Sequence, residues 1–379
     1  MNTKRNITIL LKNPFILPLS IKNVIRSVNN IFDYNFGNGK SFNPKAITLY
    51  VTKICNLKCK MCQLVRSRIN TIKLNALFRK EKNFLNLKML KNFLSNWKGL
   101  KPYISLTGGE TTLHPEIEKI IKTIKDYGFT CSMVTNGALL ADKAQKIVSA
   151  GLDILVISLD GMQTVHDTIR GVPGTFQKAI EGIQEIIKTR NNKNLKKPLV
   201  FINTAVNNEN INELEKLVNL AKDLNIDGIN FQHIWMQNSS VIKKHNNKIS
   251  DFKMHESYCL EIKPETINPK LFYQKLQNIK RRHPFVNIFP DLNESQINDY
   301  YKKPEKNILR KNCVCPWFFA VIQPDGRLTQ CKEFEMGNLN QNTFSQIWNG
   351  EKYKNFRQRL KNQHYFPICA RCCLYFRKY

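Results

Sequence analysis

Ala46-Ile47-Thr48-Leu49-Tyr50-Val51-Thr52-Lys53-Ile54-Cys55-Asn56-Leu57-Lys58-Cys59-Lys60-Met61-Cys62 is the stretch whose reading decides the fold. Its opening part, Ala46 to Thr52, alternates side chains with the period of a strand that has two unlike faces. Its closing part carries a Cys-x3-Cys-x2-Cys run on the loop that must follow such a strand. Three thiolates on one short loop can hold three irons of a cubane cluster and leave the fourth iron without a protein ligand. An iron left open can bind a substrate and reduce it. Taken alone, the same three cysteines also suit a zinc ion that borrows a fourth ligand.

From residue 46 onward, short apolar runs alternate with segments whose apolar residues recur at three- and four-residue spacing. This is the pattern of βα units around a parallel sheet. Strands are predicted at Ile47–Val51, Tyr103–Thr107, Thr130–Thr135, Ile154–Leu159, Leu199–Val206 and Gly228–Gln232. Helices are predicted near Leu87–Trp97, Pro115–Tyr127, Ala141–Ala150, Thr175–Lys188 and Ile211–Leu224. The fold class is therefore α/β, a partial (β/α)6 TIM-like barrel with a C-terminal cysteine-rich module. Residues 1–45 read as an N-terminal extension, 46–235 as the barrel, 236–312 as a Lys/Asn-rich connector or lid with a helix at Pro269–Arg281, and 313–379 as the module.

In parallel α/β folds the loops after the strands gather on one face and carry the chemistry. The second predicted strand runs into Thr107-Gly108-Gly109-Glu110, where glycines permit close backbone approach and a carboxylate can accept from an ammonium group. The third ends in Thr135-Asn136-Gly137, and the fourth in Ser158-Leu159-Asp160-Gly161, followed by His166-Asp167 and Arg170-Gly171. Those hydroxyl, amide and carboxylate groups suit ribose hydroxyls, and the planar fork of Arg170 suits a carboxylate. Turn and helix-cap chemistry accounts for the same residue types.

In order and spacing, these motifs over residues 46–235 resemble the radical S-adenosylmethionine (SAM) superfamily. The resemblance implies a 4Fe-4S cluster on Cys55, Cys59 and Cys62, whose open iron is used to cleave SAM to a 5'-deoxyadenosyl radical. It also implies that Gly108, Gly109 and Glu110 hold the methionyl amine, and that Asn136, Ser158, Asp160 and Arg170 contact the rest of SAM. Asn203, Thr204, Asn230, Gln232 and His233 fall where the family contacts substrate or nucleoside. Two positions depart from the pattern. Met61 stands where an aromatic residue usually lies near the adenine, and Met is polarizable enough to pack on a purine. Thr111 follows Glu110 where Pro is usual.

Toward the end of the chain, Cys313-Val314-Cys315-Pro316-Trp317, a Pro324-Asp325-Gly326 turn before Cys331, and Cys369-x2-Cys372-Cys373 resemble the SPASM/twitch auxiliary-cluster domain attached to many radical SAM enzymes. Six cysteines stand here where the full pattern has seven, so the resemblance implies one 4Fe-4S auxiliary cluster. Its expected ligands are Cys331, Cys369, Cys372 and Cys315, with Cys313 as the alternative to Cys315. A zinc knuckle is the other reading of four thiolates.

Composition sets limits on partners. With 42% hydrophobic residues the chain can build a core, and no run approaches the roughly 20 apolar residues that cross a bilayer. Lys12, Lys22, Arg26, Pro14 and Pro18 interrupt the N-terminal apolar stretch, which argues against a secretory signal. Eleven cysteines without such a signal point to a reducing, cytoplasmic setting where thiols serve metals or catalysis, while Cys131 and Cys259 read as packing thiols. An amphipathic helix over Ile21–Phe32 is expected to pack across the barrel, with peripheral membrane contact as the other reading. The net charge of +30 comes mostly from Lys spread along the whole chain, so nucleic acid is disfavoured as a specific partner.

The resemblance also implies an external one-electron donor such as flavodoxin or ferredoxin. The substrate expected is a small molecule such as a sugar or biosynthetic intermediate. A peptide or protein is the alternative, disfavoured because only about 45 residues precede the first strand, fewer than a leader-recognition domain. No residue stands out as a general acid or base.

Overall fold

Side chains that alternate along the chain alternate between two environments in the folded protein. A computed structural model describes residues 17–62, 84–255, 267–309, 311–331 and 334–376. In β1 (Ala46–Thr52), Ile47, Leu49 and Val51 are fully buried, whereas Thr48 and Tyr50 keep partial exposure on the opposite face. The same division runs through β2 (Tyr103–Gly108), β4 (Ile154–Ser158), most of β6 (Gly228–His233) and the second half of β5 (Leu199–Val206), whereas the first half of β5 and the centre of β3 (Thr130–Thr135) are buried on both faces. Ile104, Leu106, Leu155, Ile157, Ile229 and Phe231 lie in the core, while Thr107, Ser158, Asn203, Asn230 and Gln232 stay half-buried on the other face. One face of the sheet is thus an apolar floor for helices, and the other is a polar inner wall.

The covering helices are α2 (Leu87–Ser95), α3 (Ile117–Asp126), α4 (Leu140–Ser149), α6 (Thr175–Asn192) and α7 (Leu214–Asp223). Their buried stripes have helical spacing, such as Ile117, Ile120, Ile121 and Ile124 of α3. Asn86 caps α2 by accepting from the amides of Lys88 and Met89. Between β4 and α6 lies α5 (Gln163–Arg170), a short helix in a tract the sequence presents only as turn chemistry.

The partial barrel expected from sequence is present, and its sheet is longer than six strands. Its order is β10-β9-β8-β1-β2-β3-β4-β5-β6-β7. β7 (Val286–Phe289) adds in parallel to β6, from within the connector. At four residues it is too short to announce itself by periodicity. The connector also holds α8 (Ser239–Lys248), α9 (Pro269–Arg282) and α10 (Glu294–Lys302). At the other edge β8 (Phe319–Ile322) pairs in parallel with β1, from Ala46 opposite Phe319 to Leu49 opposite Ile322. β9 (Arg327–Gln330) and β10 (Phe334–Asn338) continue antiparallel. The Pro324-Asp325-Gly326 turn forms as expected, with the Gly326 amide donating to the Gln323 carbonyl at 3.0 Å. The cysteine module is therefore hydrogen-bonded to the barrel through one continuous sheet.

The N-terminal helix α1 (Leu17–Phe36) packs on the module, which differs from the expected course across the barrel. Tyr34 meets Trp317 edge-on at 4.9 Å, and Ser41 Oγ donates to the Trp317 carbonyl at 3.0 Å. α11 (Phe344–Trp348) and α12 (Glu351–Asn362) complete the junction. Arg357 of α12 donates to the carbonyls of Pro316 at 3.0 Å, Gly39 at 2.9 Å and Trp348 at 2.7 Å, between the rings of Trp348 and Tyr353. Burial pulls its pKa down to about 9. Cys131 is buried in the core, as a packing thiol should be, and Cys259 lies outside the described residues.

Replacing Arg357 strands three buried carbonyls, so Arg357→Met is expected to cost about 3 kcal/mol or more in urea unfolding. A change within about 0.5 kcal/mol, the usual range for an unimportant surface site, would contradict the clamp. His233 supplies a pH signature. It is buried against Tyr300 and Tyr301, and burial pulls its pKa from 6.5 to about 4. The unfolded chain takes up the proton first, so stability is complete above about pH 6.5 and falls as the pH drops toward 4. The His233→Gln variant should show a shallower slope in that window, and an unchanged slope would count against this origin.

Candidate active site

The cluster loop is fastened to its surroundings mainly by backbone. After β1, the amides of Gly109 and Glu110 donate to the carbonyls of Thr52 and Ile54, each at 2.8 Å. From the other side, the amides of Lys58 and Lys60 donate to the carbonyls of Arg170 and Ile169 at the end of α5, at 3.1 and 3.0 Å. The close approach that Gly108-Gly109 permits is therefore to the loop itself. A Cβ on Gly109 would stand 2.0 Å from the Ile54 oxygen, and one on Gly171 would stand 2.6 Å from the Lys58 oxygen. Gly171 also has a left-handed φ of 71° as the C-cap of α5.

Glu110 sits at the centre of the strand ends and is fully buried. Its Oε1 accepts from the Thr112 amide at 2.9 Å and from the hydroxyls of Thr112 and Thr135, both at 2.6 Å. Its Oε2 accepts from the Asn136 amide at 2.7 Å. One oxygen is saturated, and the other retains acceptor capacity toward a cation. Asn136 in turn donates from Nδ2 to Asn56 Oδ1 of the cluster loop at 2.9 Å. Thr112 and Asn56 are residues that sequence reading missed, and the Thr135 hydroxyl, read as suited to ribose, donates to Glu110 instead. A threonine beside a strand-end carboxylate is too common to carry a signal.

Arg170 links the loop to the fourth strand end. Its Nη2 lies 2.6 Å from Asp160 Oδ2 and its Nη1 lies 3.8 Å from Cys59 Sγ, while Nε is buried without a hydrogen-bond partner among the described residues. Asp160 also accepts from the Ala205 amide at 2.8 Å, and burial raises its pKa. Burial likewise pushes the Cys59 thiol up to about 11, with the Arg170 guanidinium pulling the other way. His166 accepts from the Asp160 amide through Nδ1, and burial pulls its pKa down to about 3.

Ser158 is half-buried at the end of β4, opposite Asn203 of β5, and Met61 packs against the core beside Cys62. Asp167 is spent on structure, accepting from the amides of Gly174 and Phe176 and the hydroxyl of Thr175 at the start of α6. Asn203, Asn230 and Gln232 share the half-buried inner face. Thr204 and His233 alternate onto the opposite face, where Thr204 bonds to the Leu159 carbonyl and His233 to Tyr301, away from the inner wall.

The module gathers six more cysteines. Cys369 hydrogen-bonds to Cys313, which lowers the Cys313 pKa, and Cys372 hydrogen-bonds to Cys373. Gln330 Nε2 donates to Cys315 Sγ at 3.6 Å and is itself held by the Tyr353 hydroxyl at 2.7 Å. Cys331 takes a left-handed φ of 49° just past β9. Tyr50, on the inner face of β1, has its pKa raised to about 12 by burial and then by the nearby thiols of Cys373 and Cys62, one from each cysteine group. Among the described residues no three His, Cys, Asp or Glu side chains converge tightly enough for a single metal ion. The donor set fits iron-sulfur clusters: three thiols on one loop beside a guanidinium, and thiols from several elements in the module.

Known proteins share this arrangement. The radical SAM superfamily matches over residues 49–221, and the SPASM iron-sulfur cluster-binding domain over residues 313–373. The chain is 26% identical over 344 residues to the AdoMet-dependent heme synthase of Methanosarcina barkeri, covering 87% of this chain and 91% of the relative. It is 23% identical over 355 residues to the tungsten-containing aldehyde ferredoxin oxidoreductase cofactor-modifying protein of Pyrococcus furiosus, covering 87% of each. The crystal structure of Streptococcus suis SuiB bound to precursor peptide SuiA superposes with a TM-score of 0.60 at 15% identity, over 91% of this chain and 74% of that chain, and so shares the fold.

Because the Gly109 Cβ would collide with the Ile54 carbonyl, Gly109→Ala is expected to displace the cluster loop. The reconstituted variant should bind less iron than the wild type, by the amount that a Cys55→Ala/Cys59→Ala/Cys62→Ala variant loses. Full iron content in that variant would contradict the role given to the glycine.

Proposed function

Because this chain belongs to the radical SAM superfamily and carries a C-terminal SPASM domain, we propose that it abstracts hydrogen from a small, polar biosynthetic molecule bound on the inner wall of the barrel. When bound, the cluster and SAM supply one-electron cleavage of SAM and the hydrogen-abstracting species. Cys55, Cys59 and Cys62 hold that cluster, and Gly108 and Gly109 keep their loop in place through backbone contact. Glu110, through the acceptor capacity left on Oε2, receives the methionyl amine, with Asn136 fixing its orientation. Arg170 offers its unpartnered Nε to a carboxylate while neutralising Asp160. Ser158 and Asp160 would stand on the ribose side of bound SAM, and Met61 would pack on its purine.

In the module, Cys331, Cys369 and Cys372 hold the auxiliary cluster together with Cys313 or Cys315, both of which are buried in the same group. An external one-electron donor such as flavodoxin or ferredoxin reduces the protein. The observation that carries this reading is the convergence of the cysteine loop, Glu110, Asn136 and Arg170 at successive strand ends around a half-buried polar face. The choice of a small substrate rests on that lining of Ser158, Asn203, Asn230 and Gln232. It is supported by two relatives, matched along most of their length, that are named for heme synthesis and cofactor modification.

Two measurements test the proposal. Anaerobic reconstitution should give about eight irons per chain and 5'-deoxyadenosine from SAM and dithionite. The Cys55→Ala/Cys59→Ala/Cys62→Ala variant should keep about four irons and make none. Zinc in place of iron, or a fully loaded protein that yields no deoxyadenosine, would overturn the catalytic reading. For substrate class, a deuterated cell extract is split by ultrafiltration and each fraction is incubated with the enzyme. Deuterium in 5'-deoxyadenosine from the filtrate is expected, and label from the retained macromolecules alone would replace the small molecule with a peptide or protein.

A further inference from the structure

Helix α1 is docked with its polar side inward. Asn30 is fully buried and donates from Nδ2 to the Asn43 carbonyl at 3.3 Å, and Tyr34 packs on Trp317. Val24, Ile25, Val28, Ile31, Phe32 and Phe36 are 47 to 72% exposed. Their spacing places them in one stripe along the helix, opposite Asn30 and Tyr34, and Phe32 and Phe36 pair at 5.1 Å. A contiguous apolar face of this kind marks an interaction surface.

Charge selects the occupant. Residues 1–45 contain seven Lys or Arg and one acidic residue, Asp33. That acid is engaged by the Phe42 backbone amide. Lys40 lies exposed just past the helix, and Lys361 of α12 reaches the Asn35 carbonyl at 2.9 Å. A second copy of a chain with a net charge of +30 is repelled, whereas a surface of anionic headgroups over an acyl layer matches both the stripe and the charge. We propose that α1 lies in the headgroup region of an anionic bilayer, with Val24, Ile25, Val28, Ile31, Phe32 and Phe36 inserted, and so holds the enzyme at a membrane surface. No helix among the described residues is long and apolar enough to cross the bilayer, so the contact is interfacial.

The test is flotation of the reconstituted full-length protein with phosphatidylcholine vesicles, with and without phosphatidylglycerol. Binding is expected on the anionic vesicles, weak on pure phosphatidylcholine, and reduced by salt. The Val28→Ser/Phe32→Ser variant, altered only on the exposed stripe, should bind about tenfold more weakly with SAM cleavage in solution unchanged. Three results would overturn the proposal: no flotation of the wild type at low salt, equal binding by the variant, or a dimer dissociated by the variant that does not float.

Discussion

Everything at the candidate active site depends on how a loop of irregular backbone is held still. The segment from Lys53 to Cys62 has no strand or helix of its own, so its polar backbone must be satisfied from outside. The carbonyls of Thr52 and Ile54 take the amides that follow β2, and the amides of Lys58 and Lys60 find the last carbonyls of α5. These bonds require backbone approach that any side chain at Gly109 or Gly171 would block. Sequence-distant strand ends are thereby locked to the cysteines, and Glu110, Asn136 and Arg170 acquire fixed positions relative to the thiols as a result.

The second constraint is the continuous sheet. β1 carries the cluster loop at its end and pairs with β2 on one side and with β8 on the other. That strand also places Tyr50 near thiols of both cysteine groups. Arg357 ties the remaining corner by joining the N-terminal segment at Gly39 to the module at Pro316 and Trp348. A cysteine module fastened this way keeps its distance from the barrel mouth through sheet hydrogen bonds.

The strands and most helices were legible because their signals are local. Thr130–Thr135 and Leu199–Val206 have the predicted ends, and α9 differs by one residue. The cysteines, Glu110 and Arg170 could be picked out because rare residue types at strand ends stand out against turn chemistry. What escaped reading was non-local. β7 and β8 are four-residue strands whose identity comes from their neighbours, and Thr112, like the bond from Thr135, matters only because Glu110 folds between the two threonines. Periodicity showed that α1 is amphipathic but gave no hint that its polar side faces the protein.

Electron paramagnetic resonance of the dithionite-reduced, reconstituted protein, recorded with and without SAM, addresses the central claim most directly. The expected result is two cluster signals, of which SAM perturbs only the one that disappears in the Cys55→Ala/Cys59→Ala/Cys62→Ala variant. A single signal, or two signals of which SAM perturbs neither, would contradict a SAM-binding cluster at the barrel mouth with a separate auxiliary cluster beside it.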